Sequence, residues 1–102
     1  MKRKTLRLKE LEHNRYSILT NDLTRCYICP RPKSDLHEIY EGCHRQNSMR
    51  YGLVLPLCKE CHLKIHRSLN FALPYKQLGQ SKFEETHSRD EFIKLFGRNY
   101  LD

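Results

Sequence analysis

The chain has no apolar run approaching the ~18 residues that a membrane-spanning helix needs, so such a span is excluded. Apolar residues fill only 38% of its 102 positions, below the usual globular share, and a domain of this size and polarity buries a thin core. Something besides apolar packing is expected to hold it together, and a metal or disulfides are the usual means. No internal repeat and no low-complexity stretch is present. The basic start is followed by no apolar h-region, which argues against a secretory leader. The expected setting is therefore a reducing cytoplasm. There, five cysteines read as metal ligands or free thiols rather than as a disulfide frame. Acidic residues are the minority, 12 against 19 Lys and Arg, which leaves +7 with neutral His. That excess points to a polyanionic partner, most simply nucleic acid.

One domain is expected, in three parts. Residues 1–25 read as a basic arm, with Lys2, Arg3, Lys4, Arg7 and Lys9 preceding the first acidic residue, Glu10. Such an arm is either solvated or laid along phosphates. Leu6, Leu8, Leu11, Ile18 and Leu19 are its available anchors to the core. Residues 26–67 hold the unusual chemistry, in the order knuckle, strand, loop, strand, helix. Leu36–Tyr40 and the apolar run Tyr51–Leu57 favour strands, with Pro56 at an end or on an edge. The stretch from Cys58 to Arg67 has no Gly or Pro and reads as a helix. Residues 68–102 read as packing elements. Pro74 is expected to open a helix through about Glu85, and Ser88-Arg-Asp-Glu91 fits a capping box for a helix that stops at Gly97.

Cys26-x2-Cys29 and Cys58-x2-Cys61 are paired knuckles. A two-residue spacer lets one tight turn aim two sulfurs at one ion, and two such turns close a tetrahedral zinc shell with thiolates at roughly 2.3 Å. A closed shell marks a structural site, and four thiolates with Zn²⁺ would lower the net charge to about +5, still basic. Cys43 fits neither knuckle and reads as an ordinary thiol.

His62-Leu-Lys-Ile-His66 sets two imidazoles at i and i+4, on one helix face. Such a pair is often just solvent-facing. Here it follows Cys61 directly, so a zinc would fix the start of its helix. A third histidine, His37, lies on the strand between the knuckles. Three neutral imidazoles with open positions make a catalytic rather than a structural metal set, and favour a transition metal over magnesium.

These motifs together resemble the HNH nucleases: a knuckle, Leu36-His-Glu-Ile39, Gly42, then Gly52-Leu-Val-Leu-Pro-Leu-Cys58-x2-Cys-His62-x3-His66. The His62-x3-His66 spacing is similar to that of the nuclease colicins, in which both histidines bind the metal. Gly42-x2-Arg45-x2-Ser48-x2-Tyr51-Gly-Leu53 and the ending Phe92-Ile-x2-Phe96-Gly-Arg-Asn-Tyr-Leu101 resemble small members carried by phages and prophages. The resemblance covers about Cys26 to the C-terminus. It implies a small zinc-stabilised α+β domain, the ββα-metal finger, with added C-terminal helices. It also implies one catalytic divalent ion (Zn²⁺, Mg²⁺, Mn²⁺ or Ni²⁺) held by His37, His62 and His66, beside the structural Zn²⁺ on the four cysteines.

Family members carry two adjacent polar residues on the first strand, a ligand and then a base histidine. Matching His37 to the ligand places Glu38 at the base. Matching His37 to the base places Leu36 at the ligand, which cannot bind an ion. The expected catalytic set is His37, Glu38 and His62, with the base open among Glu38, His37 and the loop residue His44. The family's middle Asn has no clear counterpart; Asn47 lies too early.

The activity implied is hydrolysis of DNA phosphodiesters with low sequence specificity, in phage or prophage DNA processing or recombination. Arg45, Arg50, Lys59 and Arg67 are the candidate phosphate contacts, each of which also reads as a plain solvated charge. Two rivals stand beside this reading: a non-catalytic zinc-ribbon DNA-binding module, and an adaptor of a phage enzyme that uses the Phe92–Tyr100 surface.

Overall fold

The computed structural model describes residues 6–102. The chain runs through α1 (Leu6–His13), β1 (Asp35–Glu38), a 3-10 turn (Gly42–His44), α2 (Arg45–Arg50), β2 (Val54–Leu57), α3 (Lys59–Arg67), α4 (Leu69–Phe83) and α5 (Arg89–Phe96). This is an α+β arrangement around one two-stranded antiparallel sheet. No described helix is long and apolar enough to cross a membrane.

The sheet pairs Asp35 with Leu57, Leu36 with Pro56, His37 with Leu55 and Glu38 with Val54. All four residues of β2 are buried, as an unbroken apolar run requires. Pro56 fits because its carbonyl accepts from Tyr27 N–H at 2.7 Å, on the side away from β1. Its missing N–H therefore costs no ladder bond. The same bond ties the first cysteine knuckle to the sheet.

Beyond β1 the chain stays buried through Ile39 and Tyr40. The Tyr40 backbone has no strand partner there. Ser48, fully buried on α2, replaces one: its Oγ accepts from Tyr40 N–H at 3.1 Å and donates to Tyr40 C=O at 2.7 Å. Ser48→Ala would leave both groups unpaired and is expected to cost about 2 kcal/mol, read as a shift in denaturation midpoint. The Tyr40 ring reaches α4, where its hydroxyl donates to Lys76 C=O at 2.5 Å. A Cβ at Gly79 would stand 2.8 Å from that hydroxyl, so this approach needs a glycine.

Phe83, Phe92 and Phe96 close the core on the helical side, with Phe92 and Phe96 centroids 4.9 Å apart and Tyr40 4.7 Å from Phe96. The Phe92–Tyr100 stretch thus turns its phenylalanines inward; Ile93, 38% exposed, is its outward apolar side chain. The expected capping box on Ser88 and Glu91 is present, and α5 ends at Gly97 in the left-handed region (φ 83°).

Several expectations change. Pro74 does not open α4. Ser68 caps that helix, accepting from Phe71 N–H at 3.1 Å, and Pro74 lies inside it. The loop between the strands contains α2, too short for its periodicity to announce itself. Lys2, Arg3 and Lys4 lie outside the described residues. The rest of the expected arm is partly helical, as α1 buries no side chain and Leu6 is 75% exposed. Ile18 and Leu19 do pack on the core.

Candidate functional site

The two knuckles meet. The sulfurs of Cys26, Cys29, Cys58 and Cys61 all lie within 4.8 Å of one another, and those of Cys29 and Cys58 are 3.5 Å apart. A tetrahedron of Zn–S bonds near 2.3 Å has edges of about 3.8 Å, so the four cysteines could hold a structural metal such as zinc. Local structure explains the convergence. Cys26 N–H donates to Arg31 C=O at 2.9 Å, closing the first knuckle. Cys58 follows β2 at once and caps α3, its sulfur accepting from Cys61 N–H at 3.5 Å. An Arg31–Glu60 ion pair joins the two turns.

Electrostatics favour an ion in the cage. Burial pushes the Cys26 thiol up, but backbone hydrogen bonds from Cys58, Cys29 and Ile28 outweigh it and bring it to about 6. Cys61 moves the other way, raised by burial and by its sulfur neighbours. Four thiols this close cannot all ionise without a cation among them. A soft dication removes that conflict. Cys43 is exposed and outside the cluster.

His37, His62 and His66 form a second group, each offering one nitrogen within 4.8 Å of the others. Strand β1 supplies His37, facing α3; that helix supplies the other two from one face. Nε2 of His62 and Nε2 of His66 are 3.0 Å apart. Two metal–nitrogen bonds near 2.1 Å at a tetrahedral angle separate their nitrogens by about 3.4 Å, so this spacing is close to that of a shared ion. The group lines a cavity of about 270 Å³. His37 is 4% exposed and His66 stands at the surface, so the cavity is deep at one end and open at the other. Burial, then the charges of His62, His66 and Lys76, drives His37 down to about 3. It is therefore neutral at physiological pH, as an imidazole ligand must be.

Carboxylates orient these rings. Asp35 Oδ2 is 3.2 Å from His62 Nδ1, which turns Nε2 toward His66 and the cavity. Glu41 Oε2 is 3.3 Å from His66 Nδ1, and its Oε1 is 3.6 Å from His37 Nε2, too long for a direct hydrogen bond. Sequence reasoning missed Glu41. Its position just after the strand carried no motif, and only the turn at Gly42 brings it to the cavity rim.

Glu38 stands differently from its expected base role. It lines the same cavity as the three imidazoles, together with Arg45, but its Oε1 accepts from Arg15 at 3.2 Å and Arg45 at 2.6 Å. Arg45 also meets Glu12 at 2.5 Å, so this cavity-lining guanidinium is already ion-paired. His44 lies outside the imidazole group, its ring 6.4 Å from Phe96. Asn47 donates to Leu95 C=O at 2.9 Å and pins α2 to α5. Arg50 is half-buried and weakly bonded to Asn47 at 3.4 Å. Lys59 and Arg67 are exposed, with no ion pair among the described residues. By spacing, Lys59 shares the helix face of His62 and His66.

Compared with family models, with curated proteins and with solved structures, the chain finds no match.

Proposed function

We propose that the chain is a metal-dependent DNA endonuclease of the HNH type, with a ββα-metal finger formed by β1, β2 and α3 and extended by α4 and α5. The observation that carries this reading is the convergence of His37, His62 and His66 on one partly open cavity, beside a separate thiol cage. A closed sulfur shell suits architecture, whereas three imidazoles leave positions for a phosphate. The net charge of +7 suits a DNA partner, and Lys59, Lys64 and Arg67 are exposed cations of α3. By the family resemblance, the setting is phage or prophage DNA processing, with low sequence specificity.

A divalent ion, when bound, supplies Lewis-acid stabilisation of the charge that grows on the phosphate and the leaving 3′ oxygen. The chain's own residues do the rest. His37, His62 and His66 hold the site, and Asp35 fixes the tautomer of His62. For the proton of the attacking water, Glu41 is the better acceptor, because its ion-pair contacts among the described residues are to His37 and His66 rather than to a guanidinium. Glu38 is held between Arg15 and Arg45, where it braces the strand that carries His37. A general base contributes roughly 10²–10⁴-fold, and Glu41→Gln is assigned that loss.

The test is supercoiled plasmid incubated with Mn²⁺, Mg²⁺, Ni²⁺ or Zn²⁺. Nicking with at least one ion, lost in His66→Ala, is the expected result. No nicking with any ion, or equal nicking by the variant, overturns the reading. The guanidinium partners of Glu38 favour a second reading, a metal-stabilised DNA-binding module that does not cut. It predicts salt-sensitive binding and an intact plasmid.

A further inference from the structure

The imidazole cavity is not isolated. Glu41 and His66 also wall a neighbouring hollow of about 220 Å³ that passes Tyr40, Lys76 and Tyr100. Leu69, Lys76 and Tyr100 carry it on into a third hollow of about 250 Å³, bounded by Leu73 and Arg98. One groove thus runs from His66 along α4 to the C-terminal segment.

Two chemistries line it. Leu69 is 84% exposed and Leu73 40%, which gives the groove an apolar side. Lys76 Nζ and Arg98 lie 5.6 and 4.9 Å from the Tyr100 ring centroid. Neither cation has a carboxylate partner among the described residues. The wall they share is rigid. Tyr100 N–H donates to Gln80 Oε1 at 2.7 Å and its carbonyl accepts from Gln77 at 3.0 Å. Gln80 is fully buried and also donates to Asn99 at 2.7 Å. The groove is therefore preformed, which lowers the ordering cost of binding.

We propose that this groove holds an unpaired DNA strand leading to the imidazole centre, with phosphates on Lys76 and Arg98 and bases or sugars against Leu69, Leu73 and Tyr100. The proposal rests on the nuclease reading and narrows its substrate to DNA with single-stranded character beside the scissile phosphate. Charge complementarity selects the phosphates. The apolar side selects the unpaired form, because a duplex hides its base faces in the stack and offers this surface little but backbone. Arg98 can keep its plane on Tyr100 while its N–H groups turn to a phosphate.

Fluorescence anisotropy tests it, with a labelled oligothymidylate and a duplex of equal length, and with no catalytic ion added. The wild type is expected to prefer the single strand. The double variant Lys76→Ala/Arg98→Ala is expected to lose about tenfold or more in single-strand affinity, and about 1.4 units of salt slope. Its duplex affinity should change less than about twofold, and its near-UV circular dichroism should match the wild type. Unchanged single-strand binding, or equal loss for both DNA forms, overturns the proposal. His62→Ala, outside the groove, keeps the two claims apart. It should bind the strand as the wild type does and cut nothing. Strand binding that depends on Lys76 and Arg98 in a protein that never cuts upholds the groove without the enzyme. Cutting that is indifferent to both cations, with strand binding unchanged, sinks the groove alone.

Discussion

Cys58→Ser, or removal of bound metal by a strong chelator, is expected to unfold the chain. A structural four-cysteine zinc contributes on the order of 10 kcal/mol or more at neutral pH, which matches or exceeds the entire stability of a typical small domain. Besides the sulfurs, the first knuckle is held by Tyr27 N–H on Pro56, Ser34 N–H on Leu57, the exposed Arg31–Glu60 pair and the packing of Tyr27 and Ile28 on the core. Cys58 has a second duty as the cap of α3, so its loss also frees that helix start. Far-UV circular dichroism and a colorimetric zinc assay would follow the loss together, with one zinc released per folded chain. Cys43→Ser, at an exposed thiol outside the cage, should melt with the wild type. A Cys58→Ser protein that stays folded and melts unchanged would remove the structural ion from this account.

The largest effect on activity is expected from His62→Ala. The side chain is only partly buried, so the fold should survive and circular dichroism should be unchanged. Cutting should fall by about three orders of magnitude or more, since an ion left on two imidazoles is held weakly and wrongly placed. Asp35→Asn is the graded counterpart. It leaves the ligand in place but weakens the hydrogen bond that fixes the ring, a change typically worth 10–100-fold in metal affinity. Single-turnover cleavage against ion concentration separates the two. The asparagine variant should recover at high ion concentration, and the alanine variant should not. Full recovery of His62→Ala by added ion would mean that this residue is no ligand.

Much of this was legible in local spacing. Cys-x2-Cys turns, a histidine pair one helical turn apart and the Ser88–Glu91 box are each set within a few residues, and each appears as expected. The sheet followed from the apolar run that ends at Leu57, with Pro56 turned to the outer edge. What escaped depends on contacts between distant segments. Nothing in Leu36–Tyr40 reveals that Arg15 and Arg45 converge on Glu38. Glu41 looked like loop because its value lies in facing His66 across the cavity. Pro74 misled for another reason. A proline usually marks a helix start, but here Ser68 supplies the cap and Pro74 lies five residues beyond the first helical residue of α4.

Helix α3 belongs to both candidate centres. Cys58 and Cys61 grip its first turn, and His62 and His66 extend from the turns that follow. Filling of the thiol cage is therefore expected to precede filling of the imidazole group. A chain starved of the soft dication has no fixed rod on which the imidazoles can line up, however much of the second ion surrounds it. The cysteine cage would thus set the geometry of the imidazole group through the one helix they share.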